Sequence, residues 1–196
     1  MTLVYLESFG MKPETREIKD SKVLAAMAHP VRRRLLDVLK VHGPATASSL
    51  AEHTGQAVGN ISHHLKVLAE SELVEEVPEL ARDRWERWWR RALVRIRWSP
   101  RDFPDDPAAY AAASVDFEHA MNIARSWATS WERYGKEWHK APFSTDTWMR
   151  LTADEMAELG REVVELFNRW ADRETPDDGQ RREPVFLFAF GLPSEP

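Results

Sequence analysis

Four polar side chains, Asn60, Ser62, His63 and Lys66, fall on one side of a segment whose other side carries Ile61, Leu65 and Leu68. At a helical period, the i, i+4, i+7 spacing makes the apolar series a narrow seam and turns the polar groups outward. Their chemistry is hydrogen bonding and charge neutralisation. An amide or an imidazole can bond the edge of a base, a hydroxyl can reach base or phosphate, and an ammonium most often neutralises phosphate. The bland alternative is the wet face of a surface helix. Arg82 and Arg84, in a polar stretch between two extended segments, are candidates for phosphate or minor-groove contact, with a solvated turn as the alternative. Thr46, Ser48 and Ser49 could offer hydroxyls and helix N-terminal amides to phosphate, though ordinary capping explains Thr46 equally well.

Other chemistries find less support. There is no G-x-S-x-G, no glycine-rich phosphate loop and no H-E-x-x-H, so no catalytic residue and no enzymatic activity is expected. Cysteine is absent, which excludes disulfides, thiolate metal sites and thiol-based sensing. The seven histidines are scattered; Asp116 and His119, one helical turn apart, could supply half of an O/N metal site across a dimer, but a plain polar helix face explains them better. No metal ligand and no cofactor is expected. Trp127, Trp131 and Trp138 could line a pocket for an apolar effector, whereas their spacing also suits core and helix seam.

The elements that must position these groups follow from caps and breakers. Residues 1–18, with Gly10 and Pro13, read as an arm or a short strand. A helix begins after Asp20 or Ser21, with Val23, Leu24, Met27 and Ala28 facing inward, and Pro30 opens a second with Val31, Leu35, Val38 and Leu39 on one side. His42-Gly43-Pro44 stops it. Thr46 caps a short third helix closed by Thr54-Gly55, and the polar-faced helix runs over residues 57–71. Residues 73–77 and 85–90 then read as two extended segments around a charged tip at 78–84, a β-hairpin. Pro100, Pro104 and Pro107 mark a linker. Beyond it, Asp106 caps a long helix whose seam, Phe117, Met121, Ala124, Ala128, Trp131, Gly135 and Trp138, alternates steps of four and three until Pro142. Thr152 to Glu155 form a capping box before a helix striped by Met156, Leu159, Val163, Leu166, Phe167 and Trp170, and residues 185–190 read as an apolar strand.

The 196 residues carry a net charge of −5, unevenly divided. Residues 1–98 hold 16 Lys/Arg against 13 Asp/Glu, and residues 99–196 hold 11 against 19. A mildly basic front and an acidic back suit a surface that faces phosphate on one side only. No apolar run is long enough to span a bilayer, and MTLVYLESFG lacks the basic region and apolar core of a secretory signal, so a cytoplasmic protein without membrane contact is expected.

The order of helix, helix, short helix, glycine turn, polar-faced helix and basic hairpin suits DNA: a helix fits the major groove while the hairpin reaches the neighbouring backbone or minor groove. Leu24-Ala25-Ala26-Met27-Ala28-His29-Pro30-Val31-Arg32, Leu35-Leu36, Gly43-Pro44-Ala45-Thr46, Leu50-Ala51 and Ile61-Ser62-His63-His64-Leu65-Lys66-Val67-Leu68 resemble the winged-helix core of ArsR-type bacterial repressors over roughly residues 20–95. The segment Arg84 to Arg90 and the capped helix after Thr152 are similar to a branch of that family with long C-terminal extensions. The resemblance implies that Asn60, Ser62, His63 and Lys66 belong to a recognition helix, and that the chain is a homodimer on a partly palindromic double-stranded operator. His64 lies off that face, toward the domain body, for packing or phosphate.

The expected fold is mainly α with a small β-hairpin wing: an arm (1–19), a winged helix-turn-helix DNA-binding domain (20–98), a linker (99–106) and a helical dimerisation and effector region (107–196). The function that follows is a sequence-specific transcriptional regulator, a homodimeric repressor controlled by a small apolar or aromatic ligand. The alternatives are a protein-interaction module with a degenerate winged helix, and an enzyme or ligand-binding domain fused to a DNA-binding one.

Overall fold

The computed structural model describes residues 15–92 and 95–195. The chain forms two compact units divided after Met121.

The first unit begins with strand β1 (Thr15–Glu17), which pairs in parallel with β5 (Arg95–Arg97), Arg16 opposite Ile96. Residues 1–14 of the arm lie outside the described residues. Helix α1 (Ser21–Met27) starts where the Asp20 carboxylate accepts the Lys22 N–H at 2.8 Å. Helix α2 (Pro30–His42) starts at His29, whose Nδ1 accepts from the Val31 N–H at 3.2 Å, and ends at Gly43 with φ of 78°. Pro30 at the first helical position forfeits no hydrogen bond. Helix α3 (Ala47–Thr54) is capped by Thr46 and closed by Gly55 in the left-handed region, where a side chain would be strained. Helix α4 (Val58–Glu70) buries Ile61, Leu65 and Leu68 completely. These pack with Leu24, Leu35, Leu39 and Leu50 in one core.

The hairpin is present with shorter strands than the sequence led us to expect. Strand β3 (Val74–Glu76) pairs antiparallel with β4 (Trp88–Arg91), Glu75 opposite Arg90. The second strand starts three residues late because the intervening backbone is satisfied locally. Asp83 Oδ1 accepts the N–H groups of Trp85 (2.7 Å) and Glu86 (3.0 Å), and Glu86 Oε2 accepts that of Arg82 at 2.8 Å. Strand β2 (Ala45–Thr46), read from sequence only as the approach to a cap, adds to the other edge of β4 to give the order β2-β4-β3. Three helices in sequence, a polar-faced fourth and this small sheet make a winged helix-turn-helix.

Residues 99–106 are ordered by a Ser99–Asp102 capping box and by Phe103, which is buried in the core. Helix α5 (Pro107–Ser130) follows, begun by Asp106 accepting the Ala108 N–H, and its residues up to Met121 belong to the first unit, with Ala109, Ala112 and Ala120 buried.

In the second unit the long seam stops early. Instead of continuing toward Pro142, α5 ends at Ser130, and Trp131–Arg133 and Lys136–His139 form 3₁₀ turns. The hydroxyls of Ser126, Thr129 and Ser130 bond back to carbonyls of Ile123 and Ser126, an alternative to the helical ladder that weakens it near its end. Gly135 follows one residue after extended Tyr134, so Trp131, Gly135 and Trp138 do not extend one stripe. Helix α6 (Ala153–Asp172) has the expected capping box, Glu155 N–H to Thr152 Oγ1 and Thr152 N–H to Glu155 Oε2. Its stripe of Met156, Leu159, Val163 and Phe167 is only half-buried, and Leu166 and Trp170 are exposed. Residues 185–190 form no strand; no described strand pairs with them, and Val185 and Phe190 lie exposed.

Candidate nucleic-acid interface

The polar face of α4 stands opposite its buried seam. Asn60, Ser62, His63 and Lys66 are all exposed. Asn60 Nδ2 donates to Gln56 Oε1 at 2.9 Å, which leaves its carbonyl oxygen outward, and the Ser62 hydroxyl donates back to the Val58 carbonyl at 3.0 Å, which leaves its lone pairs to accept. Lys66 Nζ is 3.9 Å from Glu70, a long surface bridge of little worth that a phosphate can replace.

A cleft of about 770 Å³ runs from the start of α3, past α4, to the wing. Thr46 and Ser48 line it from α3, Ser62, Lys66 and Glu70 from α4, and Glu76, Trp85, Glu86, Arg87 and Trp89 from the wing. Thus Thr46, Ser48, Ser62 and Lys66 are brought to one concavity, while Asn60 and His63 sit on α4 outside it. Thr46 Oγ1 accepts the Ser49 N–H at 3.2 Å, so its cap role is filled and Ser48 is the freer hydroxyl. Arg82 and Arg84 are exposed at the hairpin tip; Arg84 stacks on the Trp85 indole, 4.6 Å from guanidinium carbon to ring centroid. Sequence reasoning passed over Trp85, Arg87 and Trp89, although the alternation of Trp and Arg from Arg84 to Arg90 is the signal that could have found them. Arg87 is held to Glu76 at 2.7 Å across the hairpin.

Acidic groups temper the cleft. Glu70, Glu76 and Glu86 share its wall, so its attraction for an anion rests on the projecting cations rather than on a uniform field.

Behind α4, His64 is buried, 6 % exposed, with its ring 4.5 Å from that of His29 and 5.6 Å from that of His63. Burial first, then the nearby His29, Arg32 and His63, push its pKa below the ordinary value, so the ring stays neutral and serves packing. The three arginines in succession, Arg32, Arg33 and Arg34, are all engaged. Arg33 bridges Asp37 (2.6 Å) and Asp116 (2.7 Å). Arg32 donates to the carbonyls of Ala25 and Ala26 at the end of α1, and Arg34 to those of His53 and Thr54 at the end of α3. Each of the latter two supplies positive charge where a helix exposes unpaired carbonyls. Asp116 and His119, weighed as half of a metal site, are partners of Arg33 and of Asp37, the latter at 2.6 Å.

Within the second unit, the Trp127 ring lies 5.2 Å from Tyr134, and Trp131 packs edge-on against His139 at 4.7 Å. Trp138 is half-buried. Among the described residues no ring contact joins these three indoles to one another.

Residues 27–77 match a helix-turn-helix domain. Over 56 residues, 29 % of the chain, the sequence is 39 % identical to the transcriptional repressor SdpR of Bacillus subtilis (strain 168). The chain spans 61 % of that relative's length. The matched residues begin at the end of α1 and close just after the first wing strand, so the likeness covers α2, α3 and α4 with its polar face.

Proposed function

We propose that this chain is a sequence-specific DNA-binding transcriptional regulator: a cytoplasmic, homodimeric repressor of the ArsR type with a long C-terminal extension. The observation that carries this reading is the exposed Asn60, Ser62, His63 and Lys66 face, set opposite a fully buried seam and continuous with a wing. In it, α4 enters the major groove, where Asn60 and His63 bond base edges and Ser62 and Lys66 reach base or phosphate. Thr46 and Ser48 approach the backbone from α3, and Arg82 and Arg84 grip phosphate or minor groove. The sign of regulation draws support from the name of the relative, a transcriptional repressor.

In this reading residues 20–98 bind DNA, 99–106 connect, and 107–196 serve dimerisation and sensing. The half-exposed apolar stripe of α6 supports a second copy as its cover, and Trp127, Trp131 and Trp138 supply indole surface for a small apolar or aromatic effector.

Selection of genomic fragments with the purified chain tests the reading. The expected result is enrichment of a few fragments that share a partly palindromic motif. Recovery indistinguishable from input, at low and at physiological salt, overturns it and favours a winged helix that binds a partner protein.

A further inference from the structure

The indole of Trp85 is 78 % exposed at the tip of the wing, on a loop that is far from loose. Two carboxylates of the tip, Asp83 and Glu86, accept the backbone N–H groups of residues 82, 85 and 86, while Glu79 stays exposed. Beside these held carboxylates project the guanidiniums of Arg82 and Arg84, and the Trp85 ring on which Arg84 stacks at 4.6 Å. Ordering a loop so as to hold a large apolar ring in water gains nothing for the fold. The ring also lines the cleft that Ser62 and Lys66 line, so it continues the face assigned above to DNA.

We infer that Trp85 is a wedge that enters the DNA minor groove beside the operator contact of α4 and partly unstacks a flexible pyrimidine–purine step, with Arg82 and Arg84 anchoring the flanking phosphates. This rests on the DNA-binding reading. The minor groove, about 6 Å wide, takes a flat ring edge-on. Proteins that insert apolar side chains there kink the duplex at steps that unstack cheaply, TA above all. The positive charge of Arg84 on the ring and of Arg82 on the same tip draws it to the negative minor groove of A·T-rich DNA. The residue thereby supplies a preference for A·T-rich flanks at positions that the polar face of α4 does not touch.

The test uses the full chain, Trp85→Ala and Trp85→Phe on two short duplexes of equal length, one of alternating T-A sequence and one of G-C only. The T-A duplex carries 2-aminopurine at a central TA step, whose fluorescence rises on unstacking. The parent is expected to bind the T-A duplex about tenfold more tightly than the G-C duplex and to raise the fluorescence. Trp85→Ala should lose both the preference and the rise, with thermal stability unchanged, and Trp85→Phe should keep part of each. If Trp85→Ala matches the parent in preference and fluorescence, the wedge is overturned while the DNA reading stands. If the parent binds neither duplex at low salt, the DNA reading itself fails and takes the wedge with it.

Discussion

The rings of His29 and His64 lie 4.5 Å apart, centroid to centroid, where the N-cap of α2 meets the inner side of α4. His29 Nδ1 is occupied by the Val31 N–H, and His64 Nδ1 is buried with no hydrogen-bond partner among the described residues. The seating of the polar-faced helix on the core therefore depends on two neutral imidazoles, one residue behind the exposed His63.

Stability should therefore fall as the pH drops below the ordinary histidine value of about 6.5. Burial, then neighbouring positive charge, lowers the folded-state pKa of His64 and of His29. A base whose folded pKa is depressed takes up its proton first in the unfolded chain. Its contribution is complete above the unfolded value and is lost as the pH falls from there to the folded value. The melting temperature should drop as the pH is taken below about 6.5, and His64→Phe, which keeps a ring against His29, should flatten that drop. Equal slopes for parent and variant would show that other groups set the pH dependence.

The Arg33, Asp37, Asp116 and His119 network gives an ordering of three substitutions. Burial would raise the Asp37 carboxyl, but the hydrogen bond from His119 and the charge of Arg33 outweigh it and hold the group below the carboxylate range. At Asp116 burial prevails over Arg33 and the carboxyl sits above it. The ionised form is thus worth more at Asp37, and Asp37→Asn should destabilise more than Asp116→Asn. Arg33→Met removes the cation that bonds both partly buried carboxylates and should cost most, about 2–4 kcal/mol given their residual exposure. Urea denaturation of the three variants at neutral pH measures the order, and an equal loss at the two aspartates would contradict it.

Short-range signals in the sequence carried most of the winged helix. Asp20, Thr46 and Gly55 each mark a helix end by local hydrogen bonding or backbone conformation, and Ile61, Leu65 and Leu68 identify their buried face by period alone. What escaped depends on distant partners or on competition. The β1–β5 pairing joins residues some eighty positions apart, and β2 is a strand only because Trp88 and Trp89 lie beside it. The seam past Ala128 has the right period, yet hydroxyls at Ser126, Thr129 and Ser130 draw the backbone out of the helix. At the interface, charge made Arg82 and Arg84 legible, whereas Trp85, Arg87 and Trp89 read as strand until the cleft gathered them.

Glu70 stands beside Lys66 on the cleft wall and should repel the same phosphate that Lys66 attracts. With 6–10 phosphates neutralised, DNA affinity of the parent should fall by roughly 10³–10⁵ between 50 and 200 mM salt. Glu70→Gln should raise affinity a few-fold at the lower salt, on cognate and random duplexes alike, and by less at the higher salt where screening has already reduced the repulsion. Titration of both duplexes at both salts checks this. A gain confined to one sequence would place Glu70 at a base edge instead of beside the backbone.

Asn60→Ala and His63→Ala should change which operator is preferred while leaving the fold intact. Both side chains are exposed, and Asn60 bonds only Gln56 one turn away, so truncation opens no cavity beside Ile61, Leu65 or Leu68. His63 touches His64 edge-on at 5.6 Å, a contact whose loss leaves His64 packed on His29. Each base contact that is lost should cost about 1–3 kcal/mol of discrimination against the wrong base. Nonspecific affinity should move far less, because the Lys66 and arginine contacts to phosphate remain. The comparison must be made on cognate and scrambled duplexes at one salt concentration, with melting temperature recorded beside it. Unchanged binding of the cognate site by both variants would mean that α4 is not the reading element. A loss of several degrees in melting temperature would mean that these residues support the fold and that the face presented to DNA is rotated from the one proposed.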